Sequence, residues 1–469
     1  MIYDYIIVGG GVIGCSILNK LTRLNKKCLL IEKGSDVAVG TSKANSGIVH
    51  AGFDAMPGTL KATLNVKGAK VFEARCKELS VPYVKNGAIV VGNDKSVMEE
   101  LYKRGQKNGV DGLEIINHTQ LRKLCPNINE DIKYALYAKT SAIVSPYKLT
   151  IALAEEAVIN GADVVFDYKI NNVNYTEQGV EISGNNEKFV GKQVVLAVGN
   201  SHNEVASIFD TKKYDIVFRR GEYYLLDKGS LDINGLTIFP IPSKRDGKGV
   251  LVSPTTSGNV IVGPTSIVDE DSSPKTTRDG LQDIALKADN MLDNLNLKSN
   301  IRVFAGVRCV VGSDFVIEKD ANHSNVLNVT GICSPGLSSC FAIADYVADI
   351  LHENSQEKPM KKRVERPTIQ AKTEEQINDL IKLDKRFGKI VCRCENISEM
   401  EIINAINSPL KPRSLDAIKR RTRAGMGRCQ GGFCFMKVME IIAEETGKPI
   451  DTVIKENNDS RIIIGDINV

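Results

Sequence analysis

Apolar residues over roughly the first 355 positions follow two alternating rhythms. Short apolar-centred runs recur, among them Lys27-Cys28-Leu29-Leu30-Ile31-Glu32, Val194-Val195-Leu196-Ala197-Val198-Gly199 and Val326-Leu327-Asn328-Val329-Thr330-Gly331. They read as strands buried on both faces, and the segments between them carry helical periodicity. That alternation predicts an α/β domain. From Arg219 to Thr265 the pattern shifts to short alternating strands broken by Gly, Pro and Ser, which predicts an inserted antiparallel sheet. The expected fold class is therefore α/β and α+β, with the insert occupying roughly residues 80–145 and 205–300 of a unit spanning 1–355.

From Asn354 to about Lys372, Gln, Glu, Lys and Pro dominate and apolar periodicity stops. A linker is expected over 356–385. A second, small and helical unit is expected over 386–469. Within it Ser398-Glu399-Met400-Glu401 is a capping box ahead of the apolar-periodic Ile402-Ile403-Asn404-Ala405-Ile406. Further helices are expected over 415–420 and 435–444. No internal repeat or low-complexity tract interrupts the chain.

A chain of 469 residues exceeds what one hydrophobic core usually serves, so two or three domains are expected. The net charge of +4 is too small and too dispersed for nucleic-acid binding. Two dense basic runs stand out, Lys361-Lys362-Arg363 and Lys419-Arg420-Arg421-Thr422-Arg423. The first reads as a solvated surface. No stretch of about 18 apolar residues is present, so no transmembrane segment is expected. The opening Asp4-Tyr5-Ile6-Ile7-Val8 reads as a strand entering a glycine turn, without a basic leader or small-residue cleavage site, which predicts a cytoplasmic protein. Four of the eleven cysteines crowd near the C-terminus, which in such a protein suggests metal or redox chemistry and not a disulfide scaffold.

Gly9-Gly10-Gly11-Val12-Ile13-Gly14 gives the G-x-G-x-x-G spacing directly after a strand and ahead of a helical segment. Gly9, Gly11 and Gly14 supply a tight turn, close approach to a pyrophosphate and helix-on-strand packing. The helix N-terminus then offers unpaired N–H groups to phosphate. Glu32 ends the next strand about 20 residues on, where an acid can bond a ribose hydroxyl. This constellation predicts a Rossmann-type dinucleotide site without separating FAD from NAD.

The segment Gly40-Thr41-Ser42-Lys43-Ala44-Asn45-Ser46-Gly47-Ile48-Val49-His50-Ala51-Gly52 resembles the stretch lying along the flavin in the FAD-dependent glycerol-3-phosphate dehydrogenase and L-2-hydroxyglutarate dehydrogenase group, within the D-amino-acid-oxidase-like superfamily. Arg219-Arg220-Gly221-Glu222-Tyr223-Tyr224, Ala305-Gly306-Val307-Arg308 and Gly331-Ile332-Cys333-Ser334-Pro335-Gly336-Leu337 extend the resemblance over residues 1 to 352. It implies bound FAD, a two-domain fold and hydride transfer to the flavin from a C–H bond. It also implies FAD contacts from Thr41, Ser42, Asn45, Ser46 and Gly47, and from Gly199, Gly331, Ser334, Gly336, Leu337 and Ser338.

Oxidising an alcohol to a ketone releases a hydroxyl proton as well as a hydride, so the protein must supply a base. His50 is the one histidine of five in a Gly/Ser-rich segment close after the cofactor motif, and it is the expected base. The structural alternative is a histidine bonding a backbone carbonyl, the reading given to His118, His202, His323 and His352. Arg308 matches the family's substrate-anion arginine, where a guanidinium fork can clamp a carboxylate or phosphate; a structural salt bridge is the competitor. Lys248 is a weaker candidate for a second positive charge, and Tyr223 and Ser334 are further candidates for lining the pocket.

Cys392-Arg393-Cys394 and Cys429-Gln430-Gly431-Gly432-Phe433-Cys434 place four thiols in C-x-C and C-x4-C pairs. Four thiolates are the usual complement of a [2Fe–2S] cluster. Zinc also takes four cysteines, but its structural sites favour C-x2–4-C. The stretch Lys419 to Cys434 resembles the bacterioferritin-associated-ferredoxin-like [2Fe–2S] domain fused to anaerobic-type glycerol-3-phosphate dehydrogenases. Its basic residues are expected to offset the cluster's charge or dock an acidic redox partner. The activity these features imply is FAD-dependent oxidation of sn-glycerol 3-phosphate to dihydroxyacetone phosphate. Electrons would pass through a [2Fe–2S] centre to an acceptor protein or a quinone-linked partner, which would place the protein peripherally at a membrane through that partner. L-2-hydroxyglutarate or another 2-hydroxy acid is the alternative substrate. A non-catalytic electron-transfer accessory is the alternative of another class.

Overall fold

The N-terminal apolar run forms the strand Ile2–Val8 in the parallel core of a mixed sheet, in a computed structural model that describes residues 1–242, 249–353 and 355–465. Ile6 and Ile7 are fully buried on opposite faces of that strand, as a strand covered on both sides requires. Its parallel neighbours are Cys28–Ile31 on one side and Glu187–Leu196 on the other. Asp163–Val165 and Val326–Thr330 extend the sheet outward on either side. The helices Val12–Arg23, Leu60–Glu78, Pro146–Ile159 and Gly336–Ile350 pack together over one face.

The second layer is a nine-stranded mixed sheet that gathers the segments Ala88–Gly92, Leu113–Asn117 and Tyr134–Ala138 with Ile216–Leu226, Thr237–Pro240, Leu251–Pro254, Val260–Gly263, Ile267–Asp269 and Asn300–Val311. It is antiparallel except where Thr237–Pro240 runs parallel to Ala88–Gly92. The fold is thus a dinucleotide-binding α/β unit carrying a largely antiparallel second sheet. The long pair Ile216–Leu226 with Asn300–Val311 returns the second sheet to the first unit, and it carries one wall of the site described below.

Two parts of the chain depart from the sequence expectation. The stretch expected as linker contains the helix Glu374–Leu383, closed by a capping box in which Thr373 and Gln376 satisfy each other's backbone. Ahead of it the chain is strapped to the first unit. Lys358 donates its backbone N–H to Arg23 at 2.7 Å, Lys361 to Asn160 Oδ1 at 2.8 Å, and Arg363 forks onto the buried Glu155. Arg363 therefore neutralises a carboxylate, and Lys361-Lys362-Arg363 is not simply a solvated surface. The polar composition reflects attachment by hydrogen bonds and charge, for which apolar periodicity carries no signal.

The C-terminal unit has its own apolar core, built from Ile402, Ile406, Ile418, Val438, Met439 and Ile442. Its helices are Glu399–Ile406, Leu415–Thr422 and Phe435–Thr446. Ser398 and Glu401 close the first as a capping box. The second basic run faces the first unit and not solvent. Arg420 and Arg421 both bond Asp36, which is fully buried, and Arg423 binds the buried Glu395. Lys419 pairs with Asp416 of the same helix. Arg420 and Arg421 are thus consumed in holding the two units together, and are not free to offset cluster charge or dock a partner.

Candidate active site and cysteine centre

The turn after Ile2–Val8 shows why glycine is needed there. Gly9 has φ +108°, and a β-carbon on it would sit 2.5 Å from the Ala197 carbonyl oxygen. A β-carbon on Gly14 would collide with the Gly9 carbonyl, so the helix Val12–Arg23 could not pack down on the strand. Glu32 accepts the backbone N–H of Gly10 at 2.6 Å and of Gly34 at 2.7 Å. Burial pushes its carboxyl pKa up, although those two N–H groups oppose the shift. Ser42 Oγ accepts the Val12 N–H at 2.8 Å, closing the flavin-side loop onto the helix N-terminus.

These elements open onto one continuous cavity of about 1000 Å³. Gly9, Gly11 and Glu32 line it, as do Thr41, Ser42, Asn45 and Ser46. Gly199, Ser334, Gly336, Leu337 and Ser338 also line it, and His50 and Arg308 face the same space. Gly14, Gly47 and Gly331 are not wall residues. Gly47 (φ +67°) instead passes close to the Val144 carbonyl, and Gly331 (φ +65°) ends a strand. Lys248 lies outside the described residues. A cavity of this size that opens onto a glycine-turn helix N-terminus fits an extended dinucleotide such as FAD.

The backbone of His50 is pinned on both sides. Its N–H donates to Ser338 Oγ at 2.8 Å, and its carbonyl accepts from Asn65 Nδ2 at 3.1 Å. The ring tilts against Phe239, with centroids 5.8 Å apart, and Nε2 lies 3.5 Å from Ser334 Oγ. His202 is buried, His118 bonds the Ile132 carbonyl at 2.6 Å, and His323 stacks on Tyr175; none of these lines the cavity, nor does His352.

Arg308 is directly opposite Arg219 across the strand pair, so the two side chains share one face. The next rungs on that face are Gly221 opposite Gly306, then Tyr223 opposite Phe304, whose rings stack at 4.7 Å. The two glycines leave a trough, and a β-carbon on Gly306 would collide with the Ala44 carbonyl of the flavin-side loop. The loop therefore lies across the pair between a cationic rung and an aromatic one. Arg308 donates to the carbonyls of Arg219 (3.3 Å) and Thr265 (3.0 Å). Both partners are neutral, so neither cancels its charge. Burial raises the Tyr223 phenol pKa, keeping that hydroxyl protonated beside the cavity.

Sequence reasoning named Arg308 but not Arg219. The signal was strand alternation: 219, 221 and 223 share a face, while Arg220 and Glu222 turn the other way and pair with each other at 3.1 Å. Asn457, Asn458 and Asp459 also line the cavity, and these C-terminal residues had no local signature at all.

In the second unit the four thiols gather as two pairs. Cys394 Sγ lies 3.6 Å from Cys429 Sγ. Cys434 hydrogen-bonds Cys392, which is the main reason Cys392 falls below the ordinary thiol range. Two sulfur pairs fit a two-iron cluster, in which each iron takes two cysteine thiolates. Cys394 is exposed and Cys392 and Cys434 are buried, so one edge of the centre faces outward.

Comparison with known proteins gives this geometry a family. Residues 390–444 match the BFD-like [2Fe-2S] binding domain, and residues 4–350 match the FAD dependent oxidoreductase family. A glycerol 3-phosphate dehydrogenase of Caloramator mitchellensis is 43% identical, over 99% of this chain and 98% of that protein. A glycerol 3-phosphate oxidase of Mycoplasma pneumoniae is 29% identical over 76% of this chain and 96% of its own length. Among solved structures, the dithionite-reduced L-α-glycerophosphate oxidase of M. pneumoniae with FAD bound superposes with a TM-score of 0.71 at 28% identity, covering 78% of this chain and 97% of that one. The chain belongs to the FAD dependent oxidoreductase family and carries a C-terminal BFD-like [2Fe–2S] binding domain.

Proposed function

We propose that this protein is a dehydrogenase that oxidises sn-glycerol 3-phosphate to dihydroxyacetone phosphate and passes the electrons through its cysteine centre to a separate acceptor. The observation that carries the reading is the meeting of His50 with the cross-strand guanidinium pair Arg219 and Arg308 in one cavity. A phosphate dianion suits two guanidinium forks on one sheet face. The similarity to the Caloramator dehydrogenase over nearly the whole of both chains supports the same substrate.

Bound FAD supplies the hydride acceptor. Arg308, with Arg219 beside it, would hold the substrate's phosphate and so set which carbon lies near His50. His50 Nε2, next to the Ser334 hydroxyl, takes the C2 hydroxyl proton. The C2–H bond breaks as the C2=O bond forms, and the electron pair leaves as hydride. Tyr223 and Phe239 cover the chamber with apolar rings that exclude water.

The exposed Cys394, together with a Phe433 in the Cys429–Cys434 loop that is 90% exposed, favours delivery to an outside acceptor, either a protein or a quinone-linked partner. Among the described residues no helix is long and apolar enough to cross a membrane, so membrane association would come through that partner. Anaerobic mixing with sn-glycerol 3-phosphate is expected to bleach the flavin band. Bleaching by L-2-hydroxyglutarate instead would overturn the substrate assignment. Peroxide formed at the full turnover rate in air, without added acceptor, would overturn the dehydrogenase assignment.

A further inference from the structure

The turn at 455–460 lies beyond both family matches, which end at residues 350 and 444. It is nevertheless part of the dinucleotide cavity, because Asn457, Asn458 and Asp459 line the same space as Glu32 and Gly34. A chain of contacts fixes which end of the cavity it meets. The Asn458 side chain lies against Asp167, and both line the cavity. The Asp167 N–H donates to the Gly34 carbonyl at 2.9 Å, and the Gly34 N–H donates to Glu32 at 2.7 Å. Glu32 marks the ribose, so the turn stands at the adenosine end.

The turn is built and anchored. Ser460 Oγ accepts the N–H groups of Glu456 and Asn457, each at 2.9 Å, and Lys455 N–H donates to the Ser460 carbonyl at 2.8 Å. The N–H groups of Leu415 and Asp416 donate to the carbonyls of Ile454 and Lys455, tying the turn to the start of the helix that bears Arg420 and Arg421. Glu456 then reaches across the unit boundary. It pairs with Lys43 and Arg420, and its carbonyl accepts from Ser35 Oγ. Ser35 lies between Glu32 and the flavin-side segment, and Lys43 lies within that segment.

We propose that this C-terminal turn is a wall of the adenosine site, so that FAD is held jointly by the dinucleotide unit and by the unit bearing the cysteines. Asn457 and Asn458 offer amide donors and acceptors to the adenine edge and ribose hydroxyls. FAD retention then depends on the cysteine unit being docked.

Asn457 and Asn458 are exposed, so N457A/N458A leaves the packing of either unit unchanged. FAD fluorescence after dilution of the holoenzyme is expected to report release about tenfold faster in the double variant. Iron content and visible iron–sulfur absorbance should match the parent. ADP, which carries only the adenosine end, should bind the apoprotein more weakly by a similar factor. In the unsubstituted protein, adding FAD to apoprotein should slow amide exchange across 455–460. Unchanged FAD release with intact iron content, or exchange at 455–460 indifferent to FAD, would overturn the proposal. Neither readout involves the substrate, so its failure leaves the proposed activity standing.

Discussion

Replacing Asp36 by asparagine removes the anion on which the two units meet. Asp36 is fully buried and receives Arg420 Nη2 at 3.0 Å and Arg421 Nη1 and Nη2 at 2.7 and 2.9 Å. After the change Arg420 keeps Glu456. Arg421 keeps only Glu155, 4.0 Å away and already shared with Arg363 and Arg366. A nearly buried guanidinium is left short of countercharge, and breaking such a pair from one side costs about 3–5 kcal/mol. That is a loss of roughly two to three and a half powers of ten in the equilibrium holding the units together. The exposed pair Lys188–Glu181 is the control, where solvent screening leaves little stability to lose. Urea unfolding of the holoprotein, followed through the iron–sulfur absorbance, should show the midpoint falling strongly for D36N and hardly at all for E181Q. Burial alone would raise the Asp36 pKa, but Arg421 and Arg420 override it and hold the pKa below the usual range. The bridge is therefore at full strength above the unfolded carboxylate value of about 3.9, and is lost as pH falls through the lower folded value. The gap between parent and D36N should close in acid. A D36N penalty under about 1 kcal/mol, indistinguishable from the control, would refute the reasoning.

Three further outcomes test the site. H50A should slow substrate-driven flavin reduction by about 10²–10⁴ in stopped flow while FAD content stays at the parent level; a loss of only a few-fold would remove His50 from the role of base. R308A removes charge-assisted hydrogen bonds to the substrate anion and should lower kcat/KM by about 10–150-fold, mostly through KM, with R308K recovering only part. C394S should strip the iron–sulfur absorbance yet leave flavin bleaching by substrate at the parent rate, while turnover with a one-electron acceptor collapses; unimpaired acceptor turnover would mean that electrons bypass the cysteine centre.

What the sequence made legible was local. The glycine turn, the acid at fixed spacing and the capping box at Ser398–Glu401 are written within a few residues of one another, and short-range sterics decide them. The helix Glu374–Leu383 carried the same kind of signal in Thr373 and Gln376, but polar composition masked it. The pairing of Arg219 with Arg308 spans 89 positions, and only the register of two long strands creates it. Alternation told which face Arg219 would take; nothing told what would lie opposite.

The basic run at 419–423 shows why the rest was hidden. A sequence displays charges but not their partners, and a cationic cluster without a visible anion reads as solvated or as a docking site. Here the anions are Asp36, more than 380 positions away, and Glu395, on the loop between two of the cysteine pairs' flanking strands. Asp36 in turn lies in the chain between Glu32 and the loop beginning at Gly40, both of which line the cofactor cavity. The same contact that hides the charge therefore places the C-terminal unit on the dinucleotide site. Its cysteine pairs are fixed relative to that cavity by further bonds, from Arg423 to Asn259 at 3.0 Å and from Arg302 to Gln430 at 3.0 Å. Both reach the sheet whose strand pair carries Arg219 and Arg308, so the cysteine loop is tied to the strand pair that forms one wall of the cofactor cleft.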